Sequence, residues 1–158
     1  MSVSYFPTVF GTLAIEDDGE YVTGMRLNDG QSESSEVARR AFEEISEYLS
    51  GKRRAFDIKI RTDGTDFQKK VWKAISEIPY GETRTYAWIA HRAGRPRAVR
   101  AAGSACGANP IIIVIPCHRV VRSDGSTGNY LYGTDMKESL LEIEGATRPS
   151  PACGRRIC

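Results

Sequence analysis

Cys117 and His118 are neighbours in the run Ile-Ile-Ile-Val-Ile-Pro-Cys-His-Arg-Val-Val at 111–121, and together they make a nucleophile with its base. A thiol attacks as thiolate, and its ordinary pKa of ~8.5 leaves only a small thiolate fraction at neutral pH. His118 as proton acceptor and the positive charge of Arg119 are both expected to raise that fraction. Five apolar β-formers predict a fully buried strand over 111–115. Cys117 then emerges where strand gives way to turn. Adjacent strand residues point opposite ways, so Cys117 and His118 can cooperate only if the chain turns after Pro116. An isolated cysteine in a reduced protein is more often a small buried hydrophobe. Its surroundings must decide.

The elements that would hold this pair begin at Asp63, where the chain turns largely helical. Thr65 or Asp66 can cap a helix whose apolar face is Phe67, Val71, Trp72, Ile75 and Ile78, ending before Pro79. Thr85 caps a second helix, Tyr86 to Ala93, closed by Gly94. Pro96 sits where a third would begin, over Arg97 to about Ala105. This is a helix-turn-helix pattern, common among helical proteins that never touch DNA. The third helix joins Arg97 and Arg100 to Ala98, Ala101, Ala102, Gly103 and Ala105, small residues that permit close backbone approach.

Upstream, Val9 to Ile15 and Tyr21 to Leu27 have strand character, and Asp18-Gly19 between them signals a tight hairpin. Ser34 or Ser35 can cap a helix with Val37, Ala41, Ile45, Tyr48 and Leu49 at helical spacing, and Gly51 suits its end. Phe56 to Ile60 offers another strand. Nothing in 1–57 pairs a nucleophile with a base, so a supporting α/β domain is expected there, followed by a second domain over 58–146. The tail 147–158, rich in proline and arginine, suits a disordered segment.

Charge divides along the same line. Residues 1–51 carry 3 basic and 10 acidic side chains, whereas 52–158 carry 19 and 10, so a net +2 conceals −7 against +9. Arg84 to Ser123 holds seven arginines and no acid, the distribution of a surface that neutralises phosphates. The four cysteines form no Cys-x-x-Cys pair and only His91 and His118 accompany them, so no metal site is expected. No stretch approaches the roughly 18 apolar residues of a membrane span, and no signal segment opens the chain. A reduced, cytoplasmic monomer is expected.

Pro116 to Val121, preceded by Asn109-Pro110 and followed by Gly128-Asn129-Tyr130, resembles the active-site signature of the O6-alkylguanine-DNA alkyltransferases, direct-reversal DNA repair proteins. The similarity runs from Gly64 to Gly145. It takes in Gly64-Thr65-Asp66-Phe67-Gln68, Val71-Trp72, Ile78 to Thr83, Thr85-Tyr86, Ile89-Ala90, Ala93-Gly94, Arg97 to Arg100, and Leu140-Leu141 with Glu144-Gly145. The resemblance implies a ribonuclease-H-like α/β N-terminal domain and a mainly α, winged-helix-like alkyltransferase domain. It further implies irreversible transfer of a methyl or other alkyl group from O6-alkylguanine in double-stranded DNA, with O4-methylthymine as a second candidate, to Cys117. No cofactor is expected.

Roles follow by the same resemblance. His118 draws the thiol proton off through a water, and Glu144 orients and charge-balances the histidine. Tyr86 is the phenolic donor toward the base, and Asn109 ties the active-site turn to the DNA-binding helix. Backbone carbonyls at Cys117 and Val120 accept from the guanine amino group, and Tyr130 walls the pocket. Leu131-Tyr132 departs from the family, several of whose members have small residues there, so a narrower pocket that favours methyl over bulky alkyl groups is expected. O6 of guanine cannot meet a thiol inside a duplex, so the nucleotide must flip out at a cost of about a few kcal/mol. In the family the helix bearing Ala98, Ala101 and Gly103 lies in the minor groove, and a residue matching Arg100 holds the vacated stack open. Arg95 and Ser123 are further candidate DNA contacts. Two other readings stand beside this one: a non-catalytic module that binds alkylated bases and recruits repair factors, and a cysteine hydrolase. The first would lack the cysteine; the second would need an oxyanion hole and acyl pocket for which no motif is present.

Overall fold

The computed structural model describes residues 1–146, so the tail at 147–158, with Cys153 and Cys158, lies outside the described residues. Contacts divide the chain into two units: Met1–Asp63 with Pro110–Ile112, and Gly64–Asn109 with Ile113 onward. The first division falls beyond the expected 57/58 boundary because residues 60 and 61 still belong to the first unit. Ile60 bridges Val22, and Arg61 pairs with Asp18 at 2.7 Å.

In the first unit, β1 (Ser2–Thr8), β2 (Gly11–Asp17) and β3 (Val22–Leu27) form an antiparallel sheet in the order β1-β2-β3. The Asp18 carboxylate accepts from the N–H groups of Glu20 and Tyr21, and Gly19 takes φ +99°, which closes the β2–β3 hairpin. Helix α1 (Glu36–Leu49) starts at Ser35, whose hydroxyl accepts from Ala38 N–H, a cap worth about 1 kcal/mol. Its Ala38, Ala41, Ile45 and Tyr48 are buried, and Phe42 stacks on Phe6 of β1 at 4.4 Å. Strand β1 escaped the sequence reading because Pro7 and two serines obscure its alternation, which an edge strand tolerates. Val9 and Phe10, expected within a strand, form the β1–β2 turn. The strand expected over Phe56–Ile60 is absent: only Ile60 makes a bridge.

In the second unit, α2 (Asp66–Ser76) opens with a reciprocal capping box between Thr65 and Gln68. Trp72 on its buried face donates Nε1–H to Ala105 O at 2.9 Å. Gly64 accommodates the same indole, since a Cβ there would lie 2.7 Å from the ring. After β4 (Arg84–Thr85) come α3 (Tyr86–Arg92), capped by Thr85, and α4 (Val99–Gly107). Helix α4 starts two residues later than the expected Arg97, because Ala98 N–H closes a turn on Arg95 O and Pro96 sits inside that turn. A 3-10 turn (Cys117–Arg119) leads into β5 (Val120–Val121), which pairs in parallel with β4, and α5 (Thr134–Ile143) follows.

Residues 111–115 are not the strand their composition predicts. Ile111, Ile112, Ile113 and Ile115 are all buried, yet the run holds only isolated bridges, Ile111 pairing with Met25, and Ile113 adopts φ +73°. A left-handed β-branched residue interrupts extended backbone. The apolar run is buried as a kinked segment instead. The fold is mixed α/β, with two small sheets and five helices among the described residues.

Candidate active site

The turn required after Pro116 is present. Cys117, His118 and Arg119 form the 3-10 turn, with Cys117 N–H on Ile115 O at 2.8 Å and Arg119 N–H on Pro116 O at 2.9 Å. Successive side chains therefore fan outward instead of alternating across a strand. Cys117 is 8% exposed. Asn109, just past α4, donates Nδ2–H to Ile115 O at 2.8 Å and to Cys117 Sγ at 3.1 Å, so one amide fixes both the turn and the sulfur.

Burial pushes the Cys117 thiol up from its ordinary value, and the Asn109 bond and the charge of Lys137 only partly oppose that. The resting group is a thiol. This corrects the expectation of an enlarged thiolate fraction: the nucleophile must be deprotonated during the reaction. His118 suits that task, because burial draws its imidazole below the ordinary range despite the Glu144 carboxylate, leaving a neutral base.

Glu144, at the C-terminal end of α5, accepts hydrogen bonds from His118, Arg119 and Gly81. His118 Nε2 lies 2.7 Å and Arg119 Nη2 2.9 Å from Oε2, while Arg119 Nε at 2.8 Å and Gly81 N–H at 3.2 Å reach Oε1. Burial alone would raise this carboxyl, but the His118 and Arg119 bonds and charges hold it down at about 2. Arg119 thus faces Glu144 and Ile78 O, at 2.7 Å, and lies over the Tyr80 ring. It is the partner of the carboxylate. The expectation that its charge acts on the thiol is corrected accordingly.

Tyr86 is the first residue of α3, and its hydroxyl donates to Asn129 O at 3.4 Å. Burial lifts its pKa to about 12, so it stays a proton donor. Gly128 lies against it at φ +81°, where a Cβ would come 3.3 Å from the phenol oxygen. Tyr130 OH is buried without a hydrogen-bond partner, and its ring meets Tyr132 edge-on at 6.1 Å. Val120 is buried, and its carbonyl accepts from Lys137 Nζ at 2.6 Å. Leu131 is 65% exposed.

Arg100, Ala101 and Ser104 lie on the exposed side of α4, with Ala98 at its start and Gly103 half-buried, where a Cβ would lie 3.9 Å from the Tyr86 ring. Ser123 is exposed. Arg95 lies 5.0 Å from the centre of the Phe67 ring. The acid-free arginine stretch separates into two classes. Arg84, Arg92 and Arg119 pair with Glu82, Glu77 and Glu144, acids outside the stretch. Arg95, Arg97, Arg100 and Arg122 form no salt bridge among the described residues, Arg122 sensing the Asp124 charge only at longer range.

Sequence reasoning missed Lys137, Gly81 and Tyr80. Lys137 had left a signal: it stands among Met136, Leu140 and Leu141 on the buried side of α5, where a lysine is out of place. Gly81 and Tyr80 contribute through a backbone N–H and through a hydroxyl on Ile143 O, neither of which residue type reveals. Among the described residues, no cluster could hold a metal ion, and no helix is long and apolar enough to cross a membrane.

Residues 66–146 match the DNA binding domain of 6-O-methylguanine DNA methyltransferase. The methylated-DNA-protein-cysteine methyltransferase of Methanosarcina acetivorans is 41% identical over 92% of this chain and 99% of its own. That of Methanosarcina barkeri is 54% identical over 71% of each chain. The crystal structure of Mycobacterium tuberculosis OGT in complex with DNA superposes with a TM-score of 0.85 at 35% identity, covering 97% of this chain and 98% of that one. A buried cysteine, imidazole and carboxylate in one turn-and-helix arrangement, with these likenesses along the chain, place it in the 6-O-methylguanine DNA methyltransferase family.

Proposed function

We propose that this chain repairs DNA by direct reversal, moving the alkyl group of O6-alkylguanine irreversibly onto its own Cys117. The observation that carries this reading is the thiol at Cys117 beside the neutral, Glu144-held imidazole of His118. Glu144 occupies Nε2, so Nδ1 is the nitrogen that receives the thiol proton, through one water. Sγ then attacks the alkyl carbon, a C–S bond forms, the bond to O6 breaks, and its electron pair leaves with guanine. Tyr86, held neutral, supplies the proton that makes guanine a better leaving group and recovers it from solvent. Asn109 steers Sγ, and Tyr130 offers its unpartnered hydroxyl to the pocket.

Double-stranded DNA is the partner, approached through the minor groove by α4. Ala98, Ala101 and Gly103 allow close approach, Arg100 fills the stack vacated by the flipped nucleotide, and Arg95 and Ser123 flank that surface. The backbone acceptor for the guanine amino group is assigned to Cys117 and, by its second lone pair, to Val120, whose carbonyl Lys137 already uses. The second unit would be winged-helix-like. The first, with three antiparallel strands and a helix, would be a ribonuclease-H-like support. The protein would act as a cytoplasmic monomer.

A recruiting module that binds without transfer has no use for a buried Cys117 with a base and a carboxylate assembled behind it. Mixing the protein with excess duplex carrying labelled O6-methylguanine tests the reading. A single burst of at most one equivalent is expected, with label on the peptide containing Cys117, because a thioether offers water no carbonyl to attack. Cys117→Ala should bind the duplex and transfer nothing. Sustained turnover, or transfer by Cys117→Ala, would overturn it.

A further inference from the structure

Lys137 is 0% exposed. Its ammonium donates to Val120 O at 2.6 Å and to Asn129 O at 3.2 Å, and it lies 5.8 Å from the centre of the Tyr86 ring. Among the described residues no carboxylate pairs with it. A buried charge without a counter-ion costs several kcal/mol, and a neutral donor could satisfy two carbonyls more cheaply. The buried ammonium needs a partner that the resting state does not contain.

We infer that Lys137 is a positioning residue whose counter-ion is the transient Cys117 thiolate, its ammonium stabilising that anion while clamping the β5 and Asn129 carbonyls around the pocket. This rests on Cys117 being the nucleophile proposed above. The groups packed around the sulfur leave Lys137 as the source of that charge. Asn109 bonds the sulfur from just past α4, and Cys106 of α4, Tyr86 of α3 and Tyr130 of the following loop are its electrostatic neighbours; these, and the adjacent His118, are neutral at rest. Arg122, after β5, is exposed. Arg119 is committed to Glu144. Consistent with this placement, burial lowers the Lys137 pKa to about 8 while Cys117 and Cys106 pull it back up, so the lysine is mostly charged at pH 7.

The test compares wild type with Lys137→Met, Lys137→Gln and Lys137→Arg. One readout is the pH dependence of Cys117 alkylation by iodoacetamide, resolved by peptide mass. A second is single-turnover methyl transfer from O6-methylguanine duplex. Thermal unfolding identifies the folded variants, and Lys137→Gln, which keeps a neutral donor one atom nearer the backbone, carries the test if Lys137→Met unfolds. Removing the charge should move the Cys117 midpoint to higher pH and slow both reactions about tenfold at pH 7, the deficit shrinking as pH rises. Lys137→Arg should restore the wild-type midpoint. An unchanged midpoint with equal losses at every pH would make Lys137 a structural clamp only and overturn the inference. Because iodoacetamide needs no DNA, failure of the transfer reading would leave this readout intact, and the two failures remain distinguishable.

Discussion

His118 Nε2 and Glu144 Oε2 lie 2.7 Å apart with no exposure of either side chain, and Arg119 has already neutralised the carboxylate they share. When the imidazole takes a proton, the cluster passes from neutral to a net positive charge in a dry site. The base is therefore weak, which suits a reaction performed once.

Glu144→Gln tests that cluster. It removes the charge that balances Arg119 and the acceptor that fixes the imidazole, leaving a buried guanidinium unpaired. Transfer should fall by about 10²–10⁴, the usual contribution of a positioned base. Stability should fall by about 3–5 kcal/mol, as for a buried pair with one partner removed. Single-turnover rates and urea unfolding check both, and a near-normal rate in the folded variant would count against the triad.

Acid should weaken the fold in a defined window. Glu144 is held at about 2 against an ordinary 4.5, so its unfolded form binds protons first. Its contribution is present above 4.5 and is lost as pH falls toward 2. His118, depressed below 6.5, adds a loss that begins under that pH. Urea midpoints at pH 7, 5.5, 4 and 3 should decline, and Glu144→Gln should flatten the lower part of the decline. A midpoint independent of pH would contradict the assigned shifts.

Arg100→Ala separates flipping from chemistry. Repair of duplex DNA should slow far more than reaction with free O6-methylguanine base. The slope of log affinity against log salt should shrink by about 1 if the arginine also meets a phosphate. Equal losses on duplex and free base would remove Arg100 from the flipping step.

Gly128→Ala should harm the Tyr86 environment without touching DNA. The backbone at φ +81° costs a non-glycine residue roughly 1–2 kcal/mol. The new methyl would also stand 3.3 Å from the Tyr86 hydroxyl. Slower reaction with the free base, alongside a lower melting temperature, is expected; unchanged chemistry would mean that the phenol is not the donor.

The helices of the second unit were legible because Thr65, Thr85 and the spacing of Val71, Trp72 and Ile75 state their limits directly. The pair Cys117 and His118 was legible because few residue types can be a nucleophile beside a base. The run 111–115 was misread because composition records burial and says nothing of backbone sign, and Ile113 takes the left-handed region that its side chain opposes. Arg119 was misread for a related reason. A charge next to a thiol in sequence faces wherever its turn directs it, and the 3-10 turn directs it to Glu144. The first strand was overlooked because a solvent-facing edge with a proline lacks the alternation on which strand recognition depends.

The carboxylate that completes the site lies 26 residues beyond its histidine and 63 beyond Gly81. A ribosome adding roughly 5–20 residues per second delivers Cys117 and His118 about one to five seconds before Glu144. Throughout that interval the thiol lacks its organised base. Competence for transfer is thus the last property the emerging chain can acquire, because the carboxylate that orients the base is synthesised after both reacting groups.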